Sequence, residues 1–387
     1  MNMQQVYQLV NTVTSEILGD SVIVNEDLSN VVDLGKAFEN AYSLDNYVKS
    51  LVDHIGRVVF VNRSYPGRAP SVLMDGWEYG SILEKVKSDI PDAVENSSWD
   101  LNDGQSYDPF VFHKPTVTAK FFNDRTTFEV DRSITRRQVK SAFSSAVQMN
   151  GLISMILTEI ENSITLKTDA LIMRTINTGI AETLAGEFPS GTYSGGSGVR
   201  AVNLLYLYNQ RMGTTLTAAA AMFDPAFMRF AAFTVKTYIR RMQDMSRLFN
   251  AGGTARFTPA DRMHVVMLDE FKSATDVYLL DGLNQFKTDN LRIPGNMETV
   301  SFWQGSGSGY AFTDTSKIMV TTPSDHTVTA SGILGVVFDR DALGVTNIDR
   351  SVEVEYSKKA QFWNYFYKHE AGYFLDLDEN FVVFYIA

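Results

Sequence analysis

The sequence predicts an α+β fold in which one long helix connects β-rich segments to a central region of mixed structure. A helical period of apolar residues continues over 135–183. Short β-rich runs precede this helix and return near the C-terminus, and strand-like and helical segments alternate between them. We therefore predict an arm, an extended loop, a region that carries the long helix, a central α/β domain and C-terminal strands, at 1–56, 57–131, 132–186, 187–332 and 333–387.

Length, charge and cysteine content exclude several classes of protein. The chain has 387 residues, of which 44% are hydrophobic and 20% charged, so it can form two or three domains and is not largely disordered. A net charge of −11 argues against a dedicated nucleic-acid reader. The absence of cysteine excludes a disulfide scaffold and thiolate chemistry. The sequence shows no signal peptide or membrane-spanning segment, so we expect no membrane partner.

The first segment, 1–56, is interpreted as an arm. Two modest helical patterns occupy 6–18 and 44–55. Their apolar content is low, and such a segment gains little by folding alone. We therefore expect it to lie across another part of the same subunit or across a neighbour.

The second segment, 57–131, has the pattern of an extended hairpin. Strand-like runs lie on both sides of an insertion that is rich in turn residues. The insertion contains Trp77, Tyr79 and Trp99, and a two-stranded ribbon has no core of its own in which to bury such rings. The rings either pack on the parent domain or pack against another chain. We favour another chain.

The long helix is predicted from its period and its ends. Apolar residues recur at steps of three and four, which places them on one helical face, at Met149, Ile153, Ile156, Ile160 and Ile164. Thr135 and Gln138 fit a reciprocal capping pair at the start, and Gly179 fits a stop. Gly151 is a candidate bend. A helix of this length exceeds a small domain and is expected to act as a strut.

The rest of the chain combines strands and helices. Asp224 and Pro225 begin a second helix, whose apolar stripe is Met228, Ala231, Val235, Tyr238, Met242, Met245 and Phe249. A buried strand at 263–268 and a helix at 270–277 follow. Four strands are predicted at 336–338, 352–356, 362–367 and 381–386. Their aromatic density requires a surface to pack against, and the long helix is the available one.

The residues that could carry chemistry form no recognisable catalytic, cofactor or metal motif. The five histidines lie far apart, and the glycine-rich loops lack the spacing of a phosphate-binding loop. Asp376, Asp378 and Glu379 could hold a cation, but an acidic turn before a final strand is the simpler interpretation. We therefore predict a protein that is not an enzyme and needs no cofactor.

The order of these parts resembles the major capsid proteins of tailed bacteriophages with the HK97-like fold. Four local segments are also similar to that family: GWEYGSI at 76–82, SITRRQ at 133–138, VVFDRDALG at 336–344 and NFVVF at 380–384. The resemblance covers nearly the whole chain. In its terms the parts are an N-terminal arm, an extended loop, a peripheral domain with the spine helix, an axial domain and strands that return to the spine.

The resemblance implies a subunit that assembles into hexamers and pentamers around double-stranded DNA. Trp77, Tyr79, Trp99, Arg136 and Arg137 would then lie at subunit interfaces. Other implied partners are a separate scaffolding protein, a portal and decoration proteins, with only non-specific contact to packaged DNA. The protein would be made in the bacterial cytoplasm and reside in the virion.

One further feature of the loop concerns covalent cross-links between subunits. Some relatives join a loop lysine to an asparagine of a neighbour, and Lys85 and Lys87 lie in the loop, but no acceptor can be placed and no cross-link is predicted.

Two alternative functions stay open. An encapsulin-like cellular compartment would share the fold and would enclose an enzyme in place of DNA. A soluble enzyme would need a pocket with converging catalytic groups, which the sequence does not reveal.

Overall fold

The computed structural model describes residues 3–18, 24–25, 50, 69–74, 83–88, 90, 93, 95, 103–104, 108, 110–138, 146–279, 296–304, 311–323, 325 and 327–387. Its helices are α1 Met3–Leu18, α2 Ala146–Glu187, α3 Leu204–Met212, α4 Ala218–Ala221, α5 Pro225–Gln243, α6 Asp269–Leu279 and α7 Phe312–Thr315. Its strands are β1 Leu83–Ser88, β2 Val117–Phe122, β3 Asp124–Thr135, β4 Ala201–Asn203, β5 Met263–Leu268, β6 Asn296–Val300, β7 Ile318–Thr321, β8 Thr327–Ala330, β9 Ile333–Asp339, β10 Leu343–Ser357, β11 Phe362–Leu375 and β12 Phe381–Tyr385. Within these ranges, the helices lack the combined length and hydropathy that crossing a bilayer would require.

The long helix α2 has the predicted inner face wherever its side chains are described. It contains 42 residues, which corresponds to about 63 Å at 1.5 Å per residue. Ile160 and Ile164 are buried, and further along the helix Ile172, Ile176 and Ile180 are buried as well. The side chains of Met149, Ile153 and Ile156 lie outside the described set. The helix packs against β3, β10, β11 and β12, so it connects the two main sheets.

Both predicted ends of the long helix differ from the structure. Thr135 closes β3, a short helical turn follows at 136–138, and 139–145 lie outside the described residues. The capping pair is nevertheless formed: the Thr135 N–H donates to Gln138 Oε1 at 2.9 Å, and the Gln138 N–H donates to Thr135 Oγ1 at 3.3 Å. At the other end α2 continues to Glu187. Gly179 is therefore not a stop, and Gly151 lies within the helix.

Gly179 has a packing role. A Cβ at this position would lie 2.9 Å from Phe381 Cζ and 3.2 Å from Leu375 Cδ1. Both β11 and β12 therefore approach the helix backbone more closely than any other residue would allow. This contact explains why a helix interior of this length retains a glycine despite its poor propensity.

Gly179→Ala should destabilise the fold although alanine is the better helix former. The added methyl meets the buried Phe381 ring, and overpacking of this kind costs about 1–3 kcal/mol. The measurement is the urea midpoint of unfolding. Gly186→Ala is the matched control in the same helix, because the nearest atom there is 3.3 Å away on the long side chain of Arg200. Equal midpoints for the two variants would contradict the close approach.

The central sheet has the strand order β4-β12-β9-β5-β6. Each described residue of β5, β9 and β12 is buried, as expected for strands covered on both faces. Beside this sheet, α5 begins as predicted: the Asp224 side chain accepts hydrogen bonds from the N–H groups of Ala226 and Phe227. The helix ends at Gln243, so the predicted stripe continues too far: Met245 is exposed, and Phe249 is buried but lies outside the helix.

The second main sheet has the order β10-β11-β3. The segment 333–387 is therefore divided between two sheets, whereas the sequence predicted that it returns to the long helix as one set. The reason lies in the patterns of its strands. β9 and β12 are uninterrupted apolar runs that are buried in the central sheet, whereas β10 and β11 alternate along most of their length and cover the long helix with one face.

Candidate assembly interface

Strands β1 and β2 form the base of the predicted ribbon. They pair antiparallel, with Lys85 opposite Lys120 and Val86 opposite Ala119. Opposite residues in such a pair share a face, so the ribbon has two different faces. The inner face carries half-buried Leu83, Lys85 and Lys87.

The inner face of the ribbon is held by an acidic turn at 376–379. The side chain of Asp376 is fully buried and accepts from Lys87 Nζ at 2.7 Å and from Lys120 Nζ at 3.1 Å. Lys87 Nζ also lies 2.8 Å from Glu379 Oε1, and Lys120 pairs with Asp378. The carboxylates that the sequence offered as a possible cation site are thus occupied by ammonium groups. We name these residues, together with Lys85, the ribbon anchor.

Lys85 occupies the least polar place in the ribbon anchor. Its Nζ donates to the carbonyl oxygen of Asp341, lies 4.3 Å from the centre of the Phe374 ring and is 3.7 Å from Asp376 Oδ2. Burial lowers the pKa of Lys85, although the charge of Asp376 opposes this effect. Lys85 therefore fixes the ribbon to both β11 and the turn after β9.

The charges in the ribbon anchor set its dependence on pH. Burial alone would raise the pKa of Asp376, but the hydrogen bonds and charges of Lys87 and Lys120 outweigh burial and hold this pKa below its ordinary value of 3.8. A lowered carboxyl pKa stabilises the fold above the ordinary value, and this stabilisation is lost as the pH falls through the lowered value. The ribbon anchor is therefore fully formed at neutral pH and weakens only below about pH 4.

Asp376→Asn should lower the melting temperature at pH 7 and reduce its loss on acidification. The variant leaves Lys87 and Lys120 without their shared carboxylate, and removing one partner of a buried ion pair costs about 3 kcal/mol. Melting curves of wild type and variant between pH 7 and pH 3 provide the measurement. The difference between the two should shrink as the pH falls through the lowered pKa of Asp376, because Asp376 itself then becomes protonated. A constant difference would contradict the ionic role.

The outer face and the far part of the ribbon are apolar and exposed. Val86, Val117 and Phe121 point away from the ribbon anchor, and Phe110 and Phe112 are 89% and 83% exposed. Exposed apolar groups that cluster in this way mark a surface for another protein. The usual orientation of a ribbon is thus reversed, because lysines face the subunit and apolar side chains face outward. We name the segment Phe110, Val111 and Phe112 the ribbon tip.

Of the five residues that the sequence predicted at interfaces, the structure describes Arg136 and Arg137. Trp77, Tyr79 and Trp99 lie outside the described residues. Arg136 is half-buried and its N–H donates to the Gln361 carbonyl oxygen at 3.0 Å, whereas Arg137 is exposed. Both arginines follow the end of β3, about 40 Å along that strand from the ribbon.

Sequence reasoning did not identify the ribbon tip or the ribbon anchor. A signal for the tip existed, because the apolar triplet 110–112 lies between Pro109 and Pro115 in a turn-rich segment. For the ribbon anchor, the sequence indicates only that Lys85 and Lys87 share one face of a strand, because side chains alternate along a strand. It does not indicate their acidic partners. Within the described residues, the His, Asp and Glu side chains form no cluster of metal ligands.

Solved structures of phage proteins are similar to this chain at low sequence identity. The chain superimposes with a TM-score of 0.50 on a protein of the capsid structure of Staphylococcus phage Andhra, with 9% identity over 84% of this chain and 86% of the other. A chain from native bacteriophage P68 gives 0.49 with 10% identity, over 84% and 86%. A chain from the capsid of cyanophage P-SCSP1u gives 0.44 with 11% identity, over 85% and 92%. No curated protein sequence matches.

The sequence itself matches a family over almost its whole length. Residues 10–385 match the family described as Phi29-like phage major capsid protein, which agrees with the HK97-like fold and with a structural subunit of a phage head. The match includes both main sheets, the long helix and the ribbon. The chain belongs to the Phi29-like phage major capsid protein family.

Proposed function

We propose that the chain assembles into hexamers and pentamers that close into the icosahedral head and enclose double-stranded DNA. The observation that carries this proposal is the ribbon, whose lysines fix it to its own subunit while its apolar outer face and tip are exposed. Such a surface fits a different patch on the next subunit. Contacts between unlike patches close into rings when the rotation permits.

The five segments predicted from the sequence acquire roles in this proposal. The arm is 1–56, the extended loop 57–131, the peripheral domain with the spine helix 132–186, the axial domain 187–332 and the returning strands 333–387. Trp77, Tyr79 and Trp99 extend the apolar surface of the loop. Arg136 and Arg137 contribute to a separate contact at the far end of β3.

Partners other than the protein itself follow from the same role. We propose a separate scaffolding protein, a portal and decoration proteins as partners in the virion, with synthesis in the bacterial cytoplasm. The net charge of −11 supports only weak, non-specific contact with packaged DNA, because a strongly basic wall would bind phosphates tightly.

Electron microscopy of particles from cells that express the protein with its scaffold tests this function. Closed shells of uniform size, which protect DNA against nuclease when packaging proteins are present, are the expected result. Closed shells that contain an enzyme in place of DNA would support the encapsulin-like alternative. Subunits that never associate would contradict the proposed function.

A further inference from the structure

One exposed face of α5 combines positive charge with an exposed aromatic ring. Steps of three and four place Arg229, Phe233, Lys236 and Arg240 along one stripe of the helix, and Phe233 is 61% exposed. A groove of about 340 Å³ lies beside this stripe, and Phe233 contributes to its lining. Arg241 and Arg211, which is in the last turn of α3, line this groove too. We name this surface the basic stripe. Arginine and aromatic side chains are the types enriched in protein interfaces.

The outer face of the sheet β10-β11-β3 has the opposite charge. The register places Asp349 opposite Glu370, and Glu353 in line with Asp131 across Phe366. Side chains in register share a face, and the other face packs on the long helix through Trp363 and Tyr365. The outer face therefore carries six carboxylates and two cations: Asp349, Glu353, Glu355, Glu370, Glu129 and Asp131 with Lys368 and Arg125. We name it the acidic face.

Among the residues that the structure describes, two ion pairs neutralise part of the acidic face. Lys368 Nζ lies 3.1 Å from Glu353 Oε2, and Arg125 Nη1 lies 3.0 Å from Glu370 Oε1. Six carboxylates less two cations leave a net charge of −4 on this face. The side chains of Glu129, Asp131 and Glu355 are exposed to solvent.

We propose that the basic stripe of one subunit binds the acidic face of a neighbouring copy. This inference rests on the proposed self-assembly and adds a second contact to it. The two surfaces are complementary in charge and lie on different parts of the subunit, one on helices and the other on a sheet. A contact between them is therefore heterologous and can close into a ring. Charge complementarity of this kind selects the partner and its orientation, while Phe233 supplies the apolar centre.

Each surface alone has an ordinary structural explanation. Charged side chains on β3 and β10 protect the edges of a sheet, and Arg211, Arg240 and Arg241 suit the C-terminal ends of helices. Neither explanation accounts for Phe233, which lies exposed among the cations. DNA is the other polyanion that the stripe could meet, but an exposed phenylalanine beside a narrow groove suits a protein surface better than a phosphate backbone.

Reversal and exchange of charge test the proposal. One variant carries Arg240→Glu and Arg241→Glu, another carries Asp131→Lys and Glu355→Lys, and a third combines all four. Each double variant should raise the subunit concentration needed for half-maximal assembly by about tenfold, and the combination should return close to wild type. Sedimentation velocity measures the assembled fraction. Lys167→Glu with Lys317→Glu is the control, because it makes the same change in net charge at exposed sites elsewhere.

The outcomes separate this inference from the proposed function. Additive loss in the combined variant, or equal loss in the control, would overturn the contact. Normal assembly of the arginine variant with reduced retention of DNA in the shell would assign the stripe to DNA and also overturn it. Wild-type subunits that never associate would contradict the proposed function, whereas wild-type shells without rescue contradict only this contact.

Discussion

Subunits that carry Phe110→Ser and Phe112→Ser are expected to fold as the wild type does and to form no closed shells. Both rings are almost fully exposed in the isolated subunit, so the subunit loses little packing when they are removed. Surface substitutions of this kind change the free energy of unfolding by about 0.5 kcal/mol or less. In an assembled shell the same rings would be anchors, and truncating an aromatic anchor costs about 2 kcal/mol or more per contact. Every subunit of the shell would make this contact, so the losses in binding free energy accumulate.

The measurement combines a thermal melt with microscopy. The variant should melt cooperatively within about 2 °C of wild type and remain in small species. Val277→Ser with Met319→Ser is the control, because these side chains are also exposed and belong to α6 and β7 instead of the ribbon. The control should still form shells. Intact shells from the tip variant, or a tip variant that cannot fold, would contradict the role of the ribbon tip as a contact between subunits.

Ile160→Asp is expected to have the largest effect on the subunit itself. Ile160 is 1% exposed and lies on the face of the long helix that packs against the sheets. The substitution removes a buried side chain and buries an unpaired carboxylate, and together these cost about 4 kcal/mol or more. That is a large part of the stability of a typical domain, so soluble expression should fall.

A charge on the other side of the same helix is the control for Ile160→Asp. Thr158 is exposed two residues earlier, and Thr158→Asp should leave the yield and the melting temperature close to wild type. Circular dichroism melts of both proteins make the comparison. A wild-type melting temperature for Ile160→Asp would show that the helical phase derived from the structure is wrong.

The sequence predicted elements well wherever a local pattern determines them. The run at 263–268 became β5 with the same bounds, and Asp224 caps α5 as its side chain and the following Pro225 indicated. The period through Ile160 and Ile164 predicted the buried face of the long helix. These features depend on neighbouring residues, so a single chain contains all the information needed to find them.

Features that depend on distant parts of the chain were not predictable in this way. Gly179 had the local signature of a helix stop, and only its contact with Phe381 shows that its missing side chain serves packing. Asp376 binds Lys87 across 289 positions of sequence. The same holds for the division of 333–387 between two sheets, because strand order is a tertiary property.

The sequence predicted a candidate interface on the ribbon but did not identify the exposed residues that the structure describes there. The sequence indicated a ribbon whose exposed rings need another body, and the described ribbon has an exposed apolar face. The rings that the sequence predicts at interfaces, Trp77, Tyr79 and Trp99, lie outside the described residues, and their role stays a prediction. The ribbon tip was missed because three consecutive apolar residues match neither the helical nor the strand period.

A reconstruction of the assembled shell at side-chain resolution would show what the ribbon tip contacts. We expect Phe110 and Phe112 to lie within about 4.5 Å of apolar side chains of a neighbouring subunit. We also expect Lys87 still to pair with Asp376 of its own chain. A shell in which the ribbon tip packs on its own subunit, or remains in solvent at every position, would contradict the role of the ribbon in assembly.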